Sequence, residues 1–193
     1  MVKKLGNLLP VLIAIFISGC AVGTQFVRPE PESLKNGETK YSQIIERFGF
    51  TSREGTVVKN EKSVKTLSYT YLPAPAGSAG FRGLGFYFLN DVLVGYEFTS
   101  SAAEDHTDFD ETKINQIIKG KSTRAAVIAL LGRPGGYYNY PMIKSQSGEA
   151  AVYKYSKVTT GFLTPSILLK SLVVTFDTSG IVADVEFSSS ATR

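Results

Sequence analysis

Side chains that could carry out chemistry are few in this chain. Its 193 residues include one histidine, one cysteine and no tryptophan. The histidine lies among carboxylates in the acidic stretch Glu104-Asp-His-Thr-Asp-Phe-Asp-Glu111. Carboxylate oxygens bind divalent cations, but this stretch lacks the glycine turn and the distal glutamate of an EF-hand loop. The pattern favours an acidic linker that leads into a helix N-terminus, where negative charge is stabilising.

Motifs for covalent or phosphate chemistry are also missing from the sequence. A serine–histidine pair would have to use His106, and no Gly-x-Ser-x-Gly turn is present. The glycines of Gly80-Phe-Arg-Gly-Leu-Gly85 precede a predicted strand. A dinucleotide phosphate site needs its glycines between a strand and a helix. We therefore expect a protein that is not an enzyme and that holds no metal and no cofactor.

The cysteine ends a segment with the features of a secretory signal. A basic start is followed by the apolar run 8–17. This run is too short to span a bilayer, which needs about 20 residues, and is typical of a signal peptide. It leads into Ile17-Ser-Gly-Cys20, which resembles the lipobox of bacterial lipoproteins. The resemblance implies cleavage between Gly19 and Cys20.

The lipobox also implies that Cys20 carries a diacylglycerol and an amide-linked acyl chain such as palmitate. One acyl chain binds only reversibly, at about 0.8 kcal/mol per buried CH₂, so three chains should anchor the protein stably. Ala21 and Val22 follow, without the aspartate of inner-membrane lipoproteins. We therefore expect a lipid-anchored protein of the outer membrane that faces the periplasm.

The charge of the chain does not favour nucleic acid as a partner. The formal net charge is +4, and removal of Lys3 and Lys4 with the signal would leave +2. No dense run of lysine and arginine remains to contact phosphates. The partners that we expect are the membrane, through the lipid, and an envelope protein.

One short stretch occurs twice in the chain. Gly120-Lys-Ser-Thr-Arg-Ala-Ala-Val-Ile-Ala-Leu-Leu-Gly132 aligns with Gly37-Glu-Thr-Lys-Tyr-Ser-Gln-Ile-Ile-Glu-Arg-Phe-Gly49, with the same spacing between the glycines. Each copy predicts a short helix with an N-terminal hydroxyl cap (Thr39, Ser122), an apolar stripe and a glycine at its end.

A β-hairpin is predicted after each copy. Strands 86–89 and 92–98 flank the turn Asn90-Asp91, and strands 172–176 and 181–187 flank a second turn. Period-two alternation places Val94 and Ala183 on the buried faces and turns Leu93 away. We therefore predict an α+β fold of two tandem helix–helix–antiparallel-sheet repeats. The boundaries are a signal peptide 1–19, a lipidated tether 20–32, repeat one 33–101, a linker 102–110 and repeat two 111–190.

The second copy resembles a pattern of the SmpA/OmlA (BamE) family of small bacterial lipoproteins. The matching residues are Ile117, Gly120, Ser122, Val127, Leu131, Gly132 and Pro134. Two such units in tandem look like the β-lactamase-inhibitor protein. The family resemblance implies an accessory of outer-membrane β-barrel assembly or envelope integrity. The motif itself encodes a helix start and stop, so it supports the fold more than the function.

Two binding hypotheses follow. The first is a non-enzymatic scaffold that binds an envelope protein, and the alternative is an inhibitor or ligand-sensing module that holds an enzyme or small molecule between the tandem sheets. Exposed aromatic residues often anchor interfaces, although some of these side chains would instead fold back over the core. The candidate binding residues are Tyr87, Glu97, Tyr137, Tyr138, Tyr140, Lys154, Phe162 and Glu186.

Overall fold

The computed structural model describes residues 23–51, 53–73, 80–160 and 165–192. In these parts the chain forms two α-helices, α1 (Tyr41–Phe48) and α2 (Arg124–Leu131). The strands are β1 (Arg53–Lys59), β2 (Lys62–Tyr71), β3 (Arg82–Leu89), β4 (Val92–Ser100), β5 (Gly136–Asn139), β6 (Glu149–Thr160), β7 (Pro165–Phe176) and β8 (Val182–Thr192). Short 3-10 turns occupy Pro31–Ser33, Ala103–Asp105 and Glu111–Gln116.

All these strands belong to one curled sheet in the order β1 to β8. Sequential neighbours are antiparallel, and β4 also pairs in parallel with β6 through Thr99↔Lys154 and Ser100↔Tyr155. The predicted fold class of two helix–helix–sheet repeats is therefore wrong. The two expected sheets are continuous through β4, β5 and β6. The start of repeat two, where the first of its two helices was expected, is the 3-10 turn Glu111–Gln116, so each half of the described chain contributes one short α-helix.

Glycine makes the continuity of the sheet possible. A Cβ atom on Gly136 would lie 1.9 Å from the Tyr96 carbonyl oxygen, and one on Gly135 would lie 2.5 Å from that of Phe98. Only residues without a side chain allow such close backbone approach. The Phe98 N–H donates to the Gly135 carbonyl oxygen at 3.0 Å. We call this contact of β4 with β5 and β6 the seam.

Both α-helices pack on the same face of the sheet. Ile44 of α1 lies in a buried cluster with Phe86 and Phe98. Val127 of α2 lies in an adjacent buried cluster with Leu172 and Phe176. Tyr137 packs against both clusters. The apolar side chains under the two helices therefore form a continuous core, which we call the helix-side core.

The repeated stretch makes equivalent hydrogen bonds in both halves. The N–H of Gly37 donates to the Leu93 carbonyl at 2.7 Å, and the Leu93 N–H donates to the Thr39 carbonyl at 2.8 Å. In the second half, Gly120 donates to Val182 at 2.8 Å and Val182 donates to Ser122 at 2.9 Å. Each copy is therefore fixed to the first residues of the last strand in its half.

Two details of these segments differ from the sequence prediction. β-Bulges between Tyr87/Phe88 and Thr175/Phe176 shift the register, so that Leu93 and Val182 occupy the helix-side core instead of Val94 and Ala183. The hydroxyls of Thr39 and Ser122 do not cap the helices. They accept hydrogen bonds from the N–H groups of Lys35 and Ile118, both at 2.9 Å, and so close the turn before each helix.

The segment 24–30, which the sequence places in the tether, lies along the helix-bearing face. Phe26 packs edge-on against Phe98 with ring centroids 6.4 Å apart. Arg28 donates to the carbonyl oxygens of Asp105 at 3.0 Å and Pro134 at 2.6 Å. These contacts hold the segment against the domain. No helix in the described part of the chain has the length and apolar character to cross a membrane.

We expect Gly136→Ala to lower the free energy of unfolding by about 3 kcal/mol, because its methyl group collides with the Tyr96 carbonyl and displaces β5. The matched control is Gly55→Ala on the exposed strand β1, where the nearest atom is the Thr66 side-chain oxygen at 3.1 Å. This control should stay within about 0.5 kcal/mol of wild type. Urea unfolding followed by circular dichroism measures the stability of both variants. Equal effects would contradict the close backbone contact of β5 with β4 at the seam.

Candidate functional site

The face of the sheet opposite the helices is partly closed by a second cluster of side chains. Tyr138, Ile143 and Val152 are buried there, together with Ala150. The β5–β6 connection crosses this end of the face and reaches the β1–β2 turn. The Asn60 side-chain amide donates to the carbonyls of Pro141 and Ile143, both at 2.9 Å. The cluster therefore gives the middle of the sheet a core on both faces.

Beyond this cluster the same face carries small, apolar and charged side chains. Alternation along a strand places Ser171, Leu169 and Ile167 on the face of Val173, which packs against the second cluster. The register brings Lys154 and Ser188 beside Ser171. We call this surface the open patch, and its members are Glu97, Lys154, Ile167, Leu169, Ser171, Ser188 and Ser190.

A charged pair lies where the open patch meets the second cluster. Lys154 Nζ is 2.7 Å from Glu97 Oε2, and the same oxygen accepts a hydrogen bond from the Tyr138 hydroxyl. The side chains of Lys154 and Glu97 are 29% and 16% exposed. Gly85 lies opposite Glu97 in β3, and a Cβ there would be 3.2 Å from Glu97 Cγ. The small residue therefore leaves room for the carboxylate.

Tyr87 packs beside this pair, on the same face of the sheet. Its ring packs edge-on against Tyr138, with centroids 5.5 Å apart. Burial raises the pKa of Tyr87 well above its usual value, and the nearby Glu97 carboxylate adds a smaller effect in the same direction. The phenol is therefore neutral at physiological pH. Tyr87 is thus a half-buried packing residue beside the pair, rather than an exposed contact.

The structure brings four of the eight candidate binding residues together, namely Tyr87, Glu97, Tyr138 and Lys154. Glu186 is exposed on β8, opposite Val173. Tyr137 points to the helix-side core, and the Tyr140 hydroxyl donates to the Asn60 carbonyl at 3.4 Å. Phe162 lies outside the described residues. Cys20 and Gly19, the expected lipidation and cleavage positions, lie outside them as well.

Sequence reasoning missed the exposed apolar residues of β7. Leu169 is 49% and Ile167 is 42% exposed. Gly161 and Pro165 are residue types typical of loops, but residues 165–169 lie in β7. The short apolar run Ile167-Leu-Leu169, flanked by Ser166 and Lys170, was a signal that could have indicated a strand here.

The acidic stretch around His106 serves to fix the linker. Arg82 contacts Asp105 at 2.6 Å and Glu104 at 2.9 Å, and Lys170 contacts Asp108 at 3.0 Å. His106 is exposed and has a positive φ of 47°. Within the described ranges no group of three histidine, cysteine or acidic side chains could hold a metal ion. These carboxylates form structural ion pairs with the sheet.

A groove of about 1040 Å³ lies on the helix-bearing side of the sheet, between the segment 23–27, the end of α1 and β2. Its lining combines apolar and basic side chains, including Phe26, Val27, Arg47, Phe48, Phe50, Arg53 and Tyr69. Burial raises the pKa of Tyr69 to about 12, so this phenol too is neutral. The groove is therefore cationic at neutral pH, through its two arginines.

Comparisons with known proteins identify no family for this chain. No family model matches it, and no curated protein matches it. A crystal structure from Streptococcus mutans, described as a "putative beta-lactamase inhibitor protein", is similar over 78% of this chain and 82% of its own length. The identity is 12% and the TM-score is 0.40. This is a distant structural neighbour, and membership of the SmpA/OmlA family stays a prediction.

We expect Lys154→Met to lower the free energy of unfolding by about 1–2 kcal/mol, because it leaves the poorly exposed Glu97 carboxylate without its cation. The control is Lys119→Met, whose partner Asp184 is 41% exposed, and its effect should stay below about 0.5 kcal/mol. Adding Glu97→Gln to Lys154→Met should recover part of the loss. A double-mutant cycle in urea that gives no coupling would contradict this interpretation of the pair.

Proposed function

We propose that this protein is a non-enzymatic, lipid-anchored envelope protein that binds a protein partner through the open patch. The observation that carries the proposal is the exposure of Leu169 and Ile167, at 49% and 42%, on a sheet surface beside the Glu97–Lys154 pair. Apolar residues next to a charged pair, on a rigid support, are a common arrangement in protein interfaces.

The patch is supported by rigid elements. Leu172 and Val174, which alternate with Ser171 and Val173 along β7, are fully buried under α2. β7 is hydrogen-bonded on both sides, by β6 and β8. Side chains on such a strand lose little freedom when a partner binds, so less of the binding energy is lost to ordering.

The short side chains of the patch favour a macromolecular partner over a small ligand. Ser171, Ser188 and Ser190 lie in adjacent positions of β7 and β8, and the two β8 serines are exposed. They form a shallow surface, whereas sites for small molecules are usually concave. A protein can cover this surface and place its own apolar side chains against Leu169.

The lipid anchor supplies the location in this proposal. The Ile17-Ser-Gly-Cys20 motif would fix the protein at the outer membrane, on the periplasmic side, where the partner would be an envelope protein. A role in β-barrel assembly or envelope integrity remains a finer prediction. Inhibition of an enzyme is the alternative, and it would use the same patch with a different class of partner.

The test is site-specific photo-crosslinking in intact cells. A photoreactive amino acid at Leu169 should give one discrete protein adduct, and so should one at Ser188. The same amino acid at Val58, an apolar residue 73% exposed on β1, is the matched control and should give none. Identification of the captured protein then separates a scaffold from an enzyme inhibitor.

A substitution within the open patch tests whether the adduct depends on that surface. Leu169→Glu should reduce the adduct formed from Ser188 at least about tenfold, which corresponds to about 1.4 kcal/mol of binding energy. Val58→Glu should leave it unchanged. Adducts of equal strength from Val58 and Leu169, or an adduct that is insensitive to Leu169→Glu, would refute binding at the open patch.

A further inference from the structure

We propose that the rim of the groove beside Gly23 is a membrane-contact surface for a bilayer that contains anionic phospholipid. This inference rests on the lipid anchor of the proposed function, but it concerns a different surface from the open patch. In this proposal the exposed apolar and basic residues of the groove contact the bilayer to which the lipid anchors the protein.

The first argument is the length of the chain between anchor and domain. Cys20 precedes Gly23 by three residues, which span at most about 11 Å when fully extended. Gly23 itself is seated against β2, where a Cβ would lie 2.1 Å from the Thr70 carbonyl oxygen. The Cα atoms of Cys20 and Gly23 are therefore at most about 11 Å apart, so a lipidated Cys20 would hold Gly23, and the end of β2 that it contacts, close to the bilayer.

The chain after Gly23 is fixed to the domain, so it adds no length to the tether. Phe26 packs on Phe98, and Arg28 donates to the carbonyls of Asp105 and Pro134. Arg133 adds an ion pair with Glu30 at 3.0 Å. The domain is thus held close to the bilayer from the first residues that the structure describes, with the groove beside the attachment point.

The second argument is the apolar surface that the groove presents. Phe50 is 89% exposed and Val27 is 72% exposed, and both line the groove together with Gly23. An aromatic ring left this open to water is stabilised when it enters the interfacial region of a bilayer. Both side chains lie close to the attachment point and can reach that region.

The third argument is charge. Arg47 and Arg53 line the same groove, and neither forms an ion pair with a carboxylate of the described residues. The Arg47 guanidinium lies 5.0 Å from the centre of the Phe48 ring and donates to the Ser33 carbonyl at 3.3 Å. Guanidinium groups bind phosphate oxygens strongly, so the two arginines complement anionic headgroups.

The chain has no tryptophan, so one introduced residue gives a single fluorescent reporter. The experiment uses the full-length, lipid-modified protein with Phe50→Trp, reconstituted into vesicles of phosphatidylcholine with phosphatidylglycerol. Lipids brominated on their acyl chains quench a tryptophan that contacts the bilayer interior. Val58→Trp is the control, because Val58 is similarly exposed but does not line the groove.

We expect the tryptophan of Phe50→Trp to shift to shorter emission wavelength and to be quenched several-fold more strongly than that of Val58→Trp. Adding Arg47→Gln and Arg53→Gln, or omitting phosphatidylglycerol, should weaken this quenching. Equal quenching of the two tryptophans would overturn the membrane contact. So would a blue shift that brominated lipids do not quench, because it would place the protein's own acyl chain or another protein segment in the groove.

Flotation of the same samples separates this inference from the anchor. Protein with an intact Cys20 should float with the vesicles, and the Cys20→Ser variant should not. If the wild-type protein fails to float, the lipid anchor is wrong and the membrane contact falls with it. If it floats and the two tryptophans are quenched equally, the anchor stands and only the membrane contact is wrong.

Discussion

The close contact of β5 with β4 is the constraint on which the rest of the structure depends. Gly135 and Gly136 have no side chains to separate the two backbones, and the tightest approach, at the Tyr96 carbonyl, leaves no room even for a methyl group. Because β5 also pairs with β6, this short strand joins the strands on either side into one sheet. The parallel pairing of β4 with β6 then continues the seam past the end of β5.

The candidate binding surface exists because of this seam. Glu97 comes from β4 and Lys154 from β6, so their ion pair forms only when the two halves share a sheet. Tyr138 of β5 donates to the same carboxylate and packs on Tyr87. The seam therefore places three strands around one charged pair, and β7 extends that surface with Leu169. The groove beside Gly23 lies apart from it, so membrane contact and partner binding need not compete.

Local features of the fold were predictable from the sequence, whereas the connection between its halves was not. Period-two alternation indicated both hairpins, and glycine spacing located the ends of both helices. β5 has only four residues and begins at the second of two adjacent glycines, so its sequence resembles a loop. The bulges shifted Leu93 and Val182 into the core, and no residue type marks such a shift. For the site, the sequence predicted Glu97 and Lys154 only as candidate binding residues. Their contact depends on long-range pairing that periodicity does not reveal.

The seam can be observed directly by nuclear magnetic resonance of the isotope-labelled protein. The account predicts nuclear Overhauser cross-peaks between the α protons of Gly136 and backbone protons of Tyr96 and Glu97, and between Thr99 and Lys154 across the parallel pair. If the hairpins β3–β4 and β6–β7 give their own cross-strand peaks while these are missing, the halves are separate sheets. The open patch would then not exist as described.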